Sequence, residues 1–279
     1  MIIDCHCHAG KGDGLTGPWD TDASLDGYLV RARAFGITHT VLFAAFNSDY
    51  EKANEEVARI VNSNRRRFLG FAFIHAQKDA GKVFRMVEKA VKQYGFCGIK
   101  THRYDARISR EICEAARRFS LPVLYDTMGE ISILDLIATE YPDVAFIIPH
   151  LGSFADDWKA QLAFLSPLER FPNIYTDFSG VRRFDLMEQA LKRAGAGKVL
   201  FGSDGPWIHP GLELMKIYEL KLGREEQNKI LFKNFLRLTA GTKVPEIQRY
   251  NRSPVGMAGR DQTDTVFRRT QTKHSHPYT

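Results

Sequence analysis

With 279 residues, 44% of them hydrophobic and 26% charged, the chain is long enough to bury a large core and has the composition of an ordinary globular protein of one or two domains. Its four cysteines suit a reducing compartment better than a disulfide framework; no apolar run approaches the roughly 20 residues of a membrane span; and the start, Met-Ile-Ile-Asp-Cys-His, lacks the pattern of a secretory signal. The expected location is therefore the cytoplasm. Residues 243–279 hold seven basic against three acidic side chains, so +4 of the net +6 lies there and the body keeps only +2. A near-neutral body gives little support for a nucleic-acid groove, and neither nucleic acid nor a membrane is an expected partner.

Short β-rich apolar runs fall near 2–6, 37–43, 68–74, 96–100, 121–126, 144–149, 173–177 and 198–203. Amphipathic stretches lie between them, near 22–35, 50–64, 79–93, 109–119, 130–140, 156–168 and 182–194, and two more follow near 211–222 and 224–238. Val83, Val87, Ala90 and Val91 illustrate the i, i+4, i+7, i+8 spacing of a buried helical stripe. Strict β–α alternation implies a parallel sheet, and eight such units favour closure into a (β/α)8 TIM barrel over an open sheet. The expected organisation is one barrel domain over 1–242, with a C-terminal extra helix. Residues 243–279 are expected to form a flexible basic tail, where His274 and His276 are read as solvated.

In such a barrel, working side chains gather at the C-terminal ends of the strands. The first strand ends in Asp4-Cys5-His6-Cys7-His8. Residues two apart on a strand share a face, so His6 and His8 are expected to converge on one metal ion while Cys5 and Cys7 turn toward the helices. The fourth strand brings Lys100 and, two residues on, His102. A lysine at a barrel mouth is costly unless paired or neutralised, which leaves three roles open: a salt bridge, an anchor for a substrate carboxylate, or a carbamate bridging two metals. Later strands deliver Asp126, His150, Asp177 and Asp204, of which Asp177 reads most readily as a helix cap. His39 reads as a hydrogen-bonded structural residue. His75 could line the mouth, and His209 could touch substrate.

Four motifs in order, His-x-His, Gly-Ile-Lys, His-Leu-Gly (150–152) and Gly-Ser-Asp-Gly-Pro (202–206), resemble the amidohydrolase superfamily. The likeness spans roughly 1–241 and is greatest to the amidohydrolase-related branch, which includes hydrolases and non-oxidative decarboxylases. The segment Lys233-Asn234-Phe235-Leu236-Arg237-Leu238 is similar to that branch's usual ending. The resemblance implies that His6 and His8 are metal ligands, Asp204 a ligand and general base, and His150 a ligand or a group polarising the substrate. It also sets Lys100 beside members that use a carbamylated lysine. Strand five departs from the family pattern: Asp126 stands where a histidine is usual, although a carboxylate can also ligate zinc or manganese.

The expected chemistry is metal-assisted hydrolysis with one or two divalent ions, zinc first and manganese next, acting on a lactone, ester or amide of a small carboxylated molecule. Arg103, Arg182 and Arg183 could fork to that carboxylate, with plain surface charge as the alternative, and His102, on the inward face or in a surface loop, is a further candidate substrate contact. A decarboxylase on the same barrel is the nearest alternative. A metal-binding protein without turnover and a deoxyribonuclease stand further off. The expected partner is a small-molecule substrate, and self-association is left open.

Overall fold

A computed structural model of the protein describes residues 1–13 and 22–242; the tail expected over 243–279, with His274 and His276, lies outside them. Strands and helices alternate along the chain: β1 (Ile3–Ala9), α1 (Asp26–Ala34), β2 (His39–Ala44), α2 (Tyr50–Ser63), β3 (Phe68–Gly70), β4 (Ala72–Phe73), α3 (Val83–Lys89) and β5 (Ile99–His102). The series continues with α4 (Arg110–Phe119), β6 (Val123–Asp126), α5 (Ile133–Glu140), β7 (Phe146–Ile148), α6 (Trp158–Arg170), β8 (Ile174–Asp177), α7 (Phe184–Ala194) and β9 (Val199–Leu200). It ends in α8 (Pro210–Glu219), α9 (Arg224–Asn228) and α10 (Asn234–Leu238). No helix among the described residues is long and apolar enough to cross a membrane.

Every strand pair is parallel. β3 and β4 are two pieces of one barrel strand that changes partner at Phe71: its N–H bonds to Leu42 O at 2.9 Å, and the next N–H, of Ala72, bonds to Gly98 O at 2.9 Å. The last strand returns to the first, with Cys5 N–H donating to Phe201 O at 2.9 Å and His8 N–H to Gly205 O at 2.7 Å. These bonds close both seams, so the eight sequence-expected runs form a (β/α)8 barrel. The strands are buried on both faces, as a parallel sheet wrapped in helices requires. α2 shows the helical side of that packing: Ala53, Val57, Ala58 and Val61 turn inward, and Asp49 caps its start by accepting from Lys52 N–H at 3.2 Å.

One irregularity positions the first motif. Asp4 pairs with Thr40 but Cys7 pairs with Leu42, a slip of one residue within β1. A bulge of this kind re-aims side chains without ending the strand. Asp4 and Cys7, three apart, both reach Tyr28 of α1 on the helix side, while His6 and His8 line the interior cavity.

Candidate metal centre at the barrel mouth

His6 and His8 come from β1, and Asp204 from the turn after β9. Asp204 holds the left-handed conformation (φ 55°), which swings its carboxylate back over the strand ends. Its Oδ1 lies 3.3 Å from His6 Nε2 and 3.6 Å from His8 Nε2. All three donor atoms lie within 4.8 Å of one another. Both imidazoles are oriented from behind. His6 Nδ1–H donates to Asp177 Oδ2 at 3.0 Å, and His8 Nδ1–H donates to Ala44 O at 2.9 Å. A proton fixed on each Nδ1 leaves the Nε2 lone pair for a cation, an arrangement common to protein metal sites. Burial depresses the pKa of both rings, partly offset at His6 by Asp177 and Asp204 and reinforced at His8 by Lys100. They are therefore neutral, as metal ligation requires. These residues fit a divalent ion on the chemistry of the donor set alone.

A second grouping, His6, His150 and Asp177, also lies within 4.8 Å, but its Nδ1 atoms are already engaged. His150 Nδ1–H donates to Ser179 O at 2.7 Å, while Asp177 accepts from His6 and, through Oδ1, from Ser179 N–H at 2.9 Å. Burial would raise the Asp177 pKa; His6, His150 and the Ser179 hydroxyl outweigh it and hold the carboxyl well below the usual range. Asp177 thus orients His6 and is not a helix cap. His150 takes up φ 59°, and the next residue, Leu151, φ 54°. Two successive left-handed non-glycine residues carry strain of the kind that functional sites retain.

Across the cavity, His150 Nε2 lies 3.4 Å and His102 Nε2 lies 3.0 Å from Asp126 Oδ2. His102 Nδ1 accepts from Tyr104 N–H at 3.0 Å, so its proton sits on Nε2, the ring nitrogen nearest Asp126. Met128 N–H occupies the other carboxylate oxygen at 2.8 Å. Burial opposes ionisation of Asp126, yet His102 and His150 keep its pKa well below the ordinary value. Burial likewise disfavours a charged His150, but Asp126, Asp204 and Asp177 raise it to about 9. Asp126, expected at the ion, is placed by the structure as the partner of two imidazoles.

Lys100 is wholly buried, and its Nζ makes no hydrogen bond among the described residues. It lies 5.1 Å from the centroid of Phe43. The arginines are placed elsewhere: Arg103 is tied to Glu130 together with Arg107, Arg182 pairs with Asp156 at 2.6 Å, and Arg183 with Asp185 at 2.7 Å. Flexible guanidinium stems settle on nearby surface carboxylates rather than in the mouth. His209 Nδ1 caps α8 by accepting from Gly211 N–H at 3.1 Å, and His75 Nδ1 accepts from Gln77 and Lys78 N–H at 3.2 and 3.1 Å. Neither ring lines the cavity. His39 bonds to Thr38, in keeping with its structural reading.

The cavity above the histidines measures about 520 Å³, and Phe46, Tyr104, Met128, Phe154, Trp207 and Ile208 form much of its wall. Sequence reasoning did not find this wall. It also missed Asp4, which accepts from Tyr28 Oη–H at 2.7 Å and Ser203 N–H at 2.9 Å and so clamps β1 to the turn that carries Asp204. Burial pushes the Asp4 carboxyl up to about 7 despite these donors. The aspartate two residues before His6 was on view, but nothing local shows a partner 199 positions away.

A family model described as Amidohydrolase matches residues 3–238. The chain belongs to the amidohydrolase family. Solved structures share its fold: a 2,6-dihydroxybenzoate decarboxylase complexed with 2,6-dihydroxybenzoate has 17% identity and a TM-score of 0.67 over 86% of this chain and 99% of its own. A probable 2-pyrone-4,6-dicarboxylic acid hydrolase from Acinetobacter baumannii, with citric acid bound, has 16% identity and a TM-score of 0.67 over 86% and 99%. A dihydroxybenzoic acid decarboxylase from a Polaromonas species, with bound manganese, has 17% identity and a TM-score of 0.65 over 86% and 96%. No curated protein sequence matches the chain. Membership supports metal-dependent catalysis of the amidohydrolase kind, and this amidohydrolase presents a histidine–aspartate cluster suited to a divalent metal.

Proposed function

We propose that this amidohydrolase is a hydrolase that adds water across a C–O or C–N bond of a small lactone, ester or amide. The observation that carries the reading is the division of labour within Asp204. Oδ1 faces the two ligand imidazoles, while Oδ2 makes no hydrogen bond or ion pair with a described residue at the cavity wall. One divalent ion held by His6, His8 and Asp204 would supply Lewis acidity and a lowered water pKa; the mixed nitrogen and oxygen donors suit zinc and accept manganese. Asp204 Oδ2 is then the base that takes the proton of the attacking water and returns it to the leaving group. General-base help of this kind contributes typically ~10²–10⁴-fold. His150, kept protonated by Asp126, donates its Nε2–H to the oxygen on which negative charge develops. His102 holds Asp126 in place for that task.

Non-oxidative decarboxylation is the second reading, supported by the decarboxylases among the fold neighbours. Reaction in ¹⁸O-labelled water separates the two: one label entering the product supports hydrolysis, and carbon dioxide released without label supports decarboxylation. Asp204→Asn should lower turnover by at least ~10²-fold while the far-ultraviolet spectrum is unchanged. Retained turnover would remove Asp204 from the base role.

A further inference from the structure

The turn that orients His150 is itself held by two side chains of α8. Between β8 and α7 the chain doubles back over Phe178–Val181, closed by Val181 N–H donating to Phe178 O at 3.2 Å. Gly180, third in the turn, holds φ 66°, a conformation that glycine adopts at no steric cost. Lys216 Nζ donates to Phe178 O at 2.9 Å and to Val181 O at 3.0 Å, and Gly180 N–H donates to Glu213 Oε2 at 3.0 Å. Glu213 and Lys216 also pair with each other. Glu213 is only 8% exposed, and a glutamate is rarely so buried without partners of this kind. A buried ion pair adds little net stability over an apolar one. What this one adds is direction for three backbone groups.

A peptide group is planar and trans, so its oxygen and its N–H point opposite ways. The Ser179–Gly180 peptide is gripped at both ends: its oxygen accepts from His150 Nδ1–H at 2.7 Å, and its N–H donates to Glu213. Rotation of that one plane would swing the oxygen off the ring and leave His150 Nδ1 with Ser179 Oγ, 3.0 Å away. We propose that Glu213 is a positioning residue for His150. Through the Ser179–Gly180 peptide it holds the ring with Nε2 toward the cavity, and Lys216 keeps the turn from rotating. Neither side chain lines the cavity, so both act through His150 and not on substrate. The hydrolase reading enters at one point only, that His150 faces the substrate.

The ring itself is measured, so hydrolysis can fail while this assignment stands, and the reverse. Proton spectra of the zinc-loaded full-length protein, labelled with ¹⁵N-histidine, report the His150 Nδ1–H signal, assigned by its absence in His150→Gln. In Glu213→Leu that signal should move upfield or vanish, because the ring has lost its nearer acceptor. Glu213→Gln should restore it, since an amide oxygen can still accept from Gly180 N–H. Zinc content and the ring N–H signals of His6 and His8 should be the same in all three proteins. If Glu213→Leu does not fold, Glu213→Asp carries the same expectation, as it keeps the charge but withdraws it from Gly180. An unmoved His150 signal in a folded Glu213→Leu or Glu213→Asp would overturn the proposal. So would loss of zinc together with the His6 and His8 signals, which would make Glu213 a general brace for the barrel end. A crystal structure of the same folded variant gives a second readout. Ser179 O turned away from His150 Nδ1 supports the assignment, and an unrotated peptide refutes it.

Discussion

Three of the four imidazoles that line the cavity are oriented by an Nδ1–H that donates, and the acceptor differs each time: Asp177 for His6, Ala44 O for His8, Ser179 O for His150. The charged acceptor is the one whose removal is most telling. Asp177→Asn should weaken manganese binding by about 10–100-fold in calorimetric titration with little loss of fold, the usual effect of losing a carboxylate behind a ligand histidine. Unchanged affinity would show that His6 is oriented by packing instead. His150 gives a pH signature in the metal-free protein. Its pKa rises from 6.5 to about 9 on folding, so the folded state binds the proton more tightly. The stability this confers is fully present below pH 6.5 and is lost as pH rises toward 9. Denaturant melts of the metal-free protein should therefore lose stability between pH 6.5 and 9 more steeply in wild type than in His150→Gln. The histidines at 6, 8 and 150 were legible because paired polar residues end apolar strands. The role of Asp177 was not, since the ring it orients lies 171 positions away and a local reading offers only a helix cap.

Among the elements, the two strand ends that bracket the first motif set its precision. The register slip in β1 lets Asp4 face Tyr28 and His6 face the cavity, whereas period-two alternation alone would keep Asp4 and His6 on one face. A bulge of this sort answers to neighbouring strands and has no signature in the residues that form it. The third barrel strand, read as one run over 68–74, is likewise divided by its change of partner at Phe71. At the other end, Gly202 occupies a position with no room for a side chain: a Cβ there would lie 2.9 Å from Asp177 Cγ and 2.9 Å from His6 Cβ. Gly202→Ala must push the pair apart. It should destabilise the protein by roughly 1–3 kcal/mol, as overpacking does, and weaken manganese binding as well. Thermal melts with and without manganese report both effects, and a melting temperature equal to wild type would deny the close packing.

At the scale of the whole molecule, alternation of apolar runs and amphipathic stretches was enough to read the barrel, because every β–α unit buries its strand on both faces and advertises that in composition. The cavity wall was not readable, since Phe46, Tyr104, Phe154 and Trp207 sit in connections whose paths depend on the closed cylinder. The ion pairs of the arginines were unreadable for a related reason: placement after a strand does not decide which carboxylate a long side chain meets. An ion gripped by residues from the first and last barrel strands fastens the closing seam, so it should stabilise the entire fold. At 100 times its dissociation constant the gain is about 2.7 kcal/mol, and chelation should lower the melting temperature by roughly 5–10 °C.

The proposed chemistry requires a cation seated between the first strand and the turn after the last, and anomalous X-ray scattering from crystals grown with manganese tests that directly. The expected result is one anomalous peak within about 2.0–2.3 Å of His6 Nε2, His8 Nε2 and Asp204 Oδ1. A fully occupied peak that touches neither His6 nor His8, or no peak in a well-ordered barrel, would contradict it.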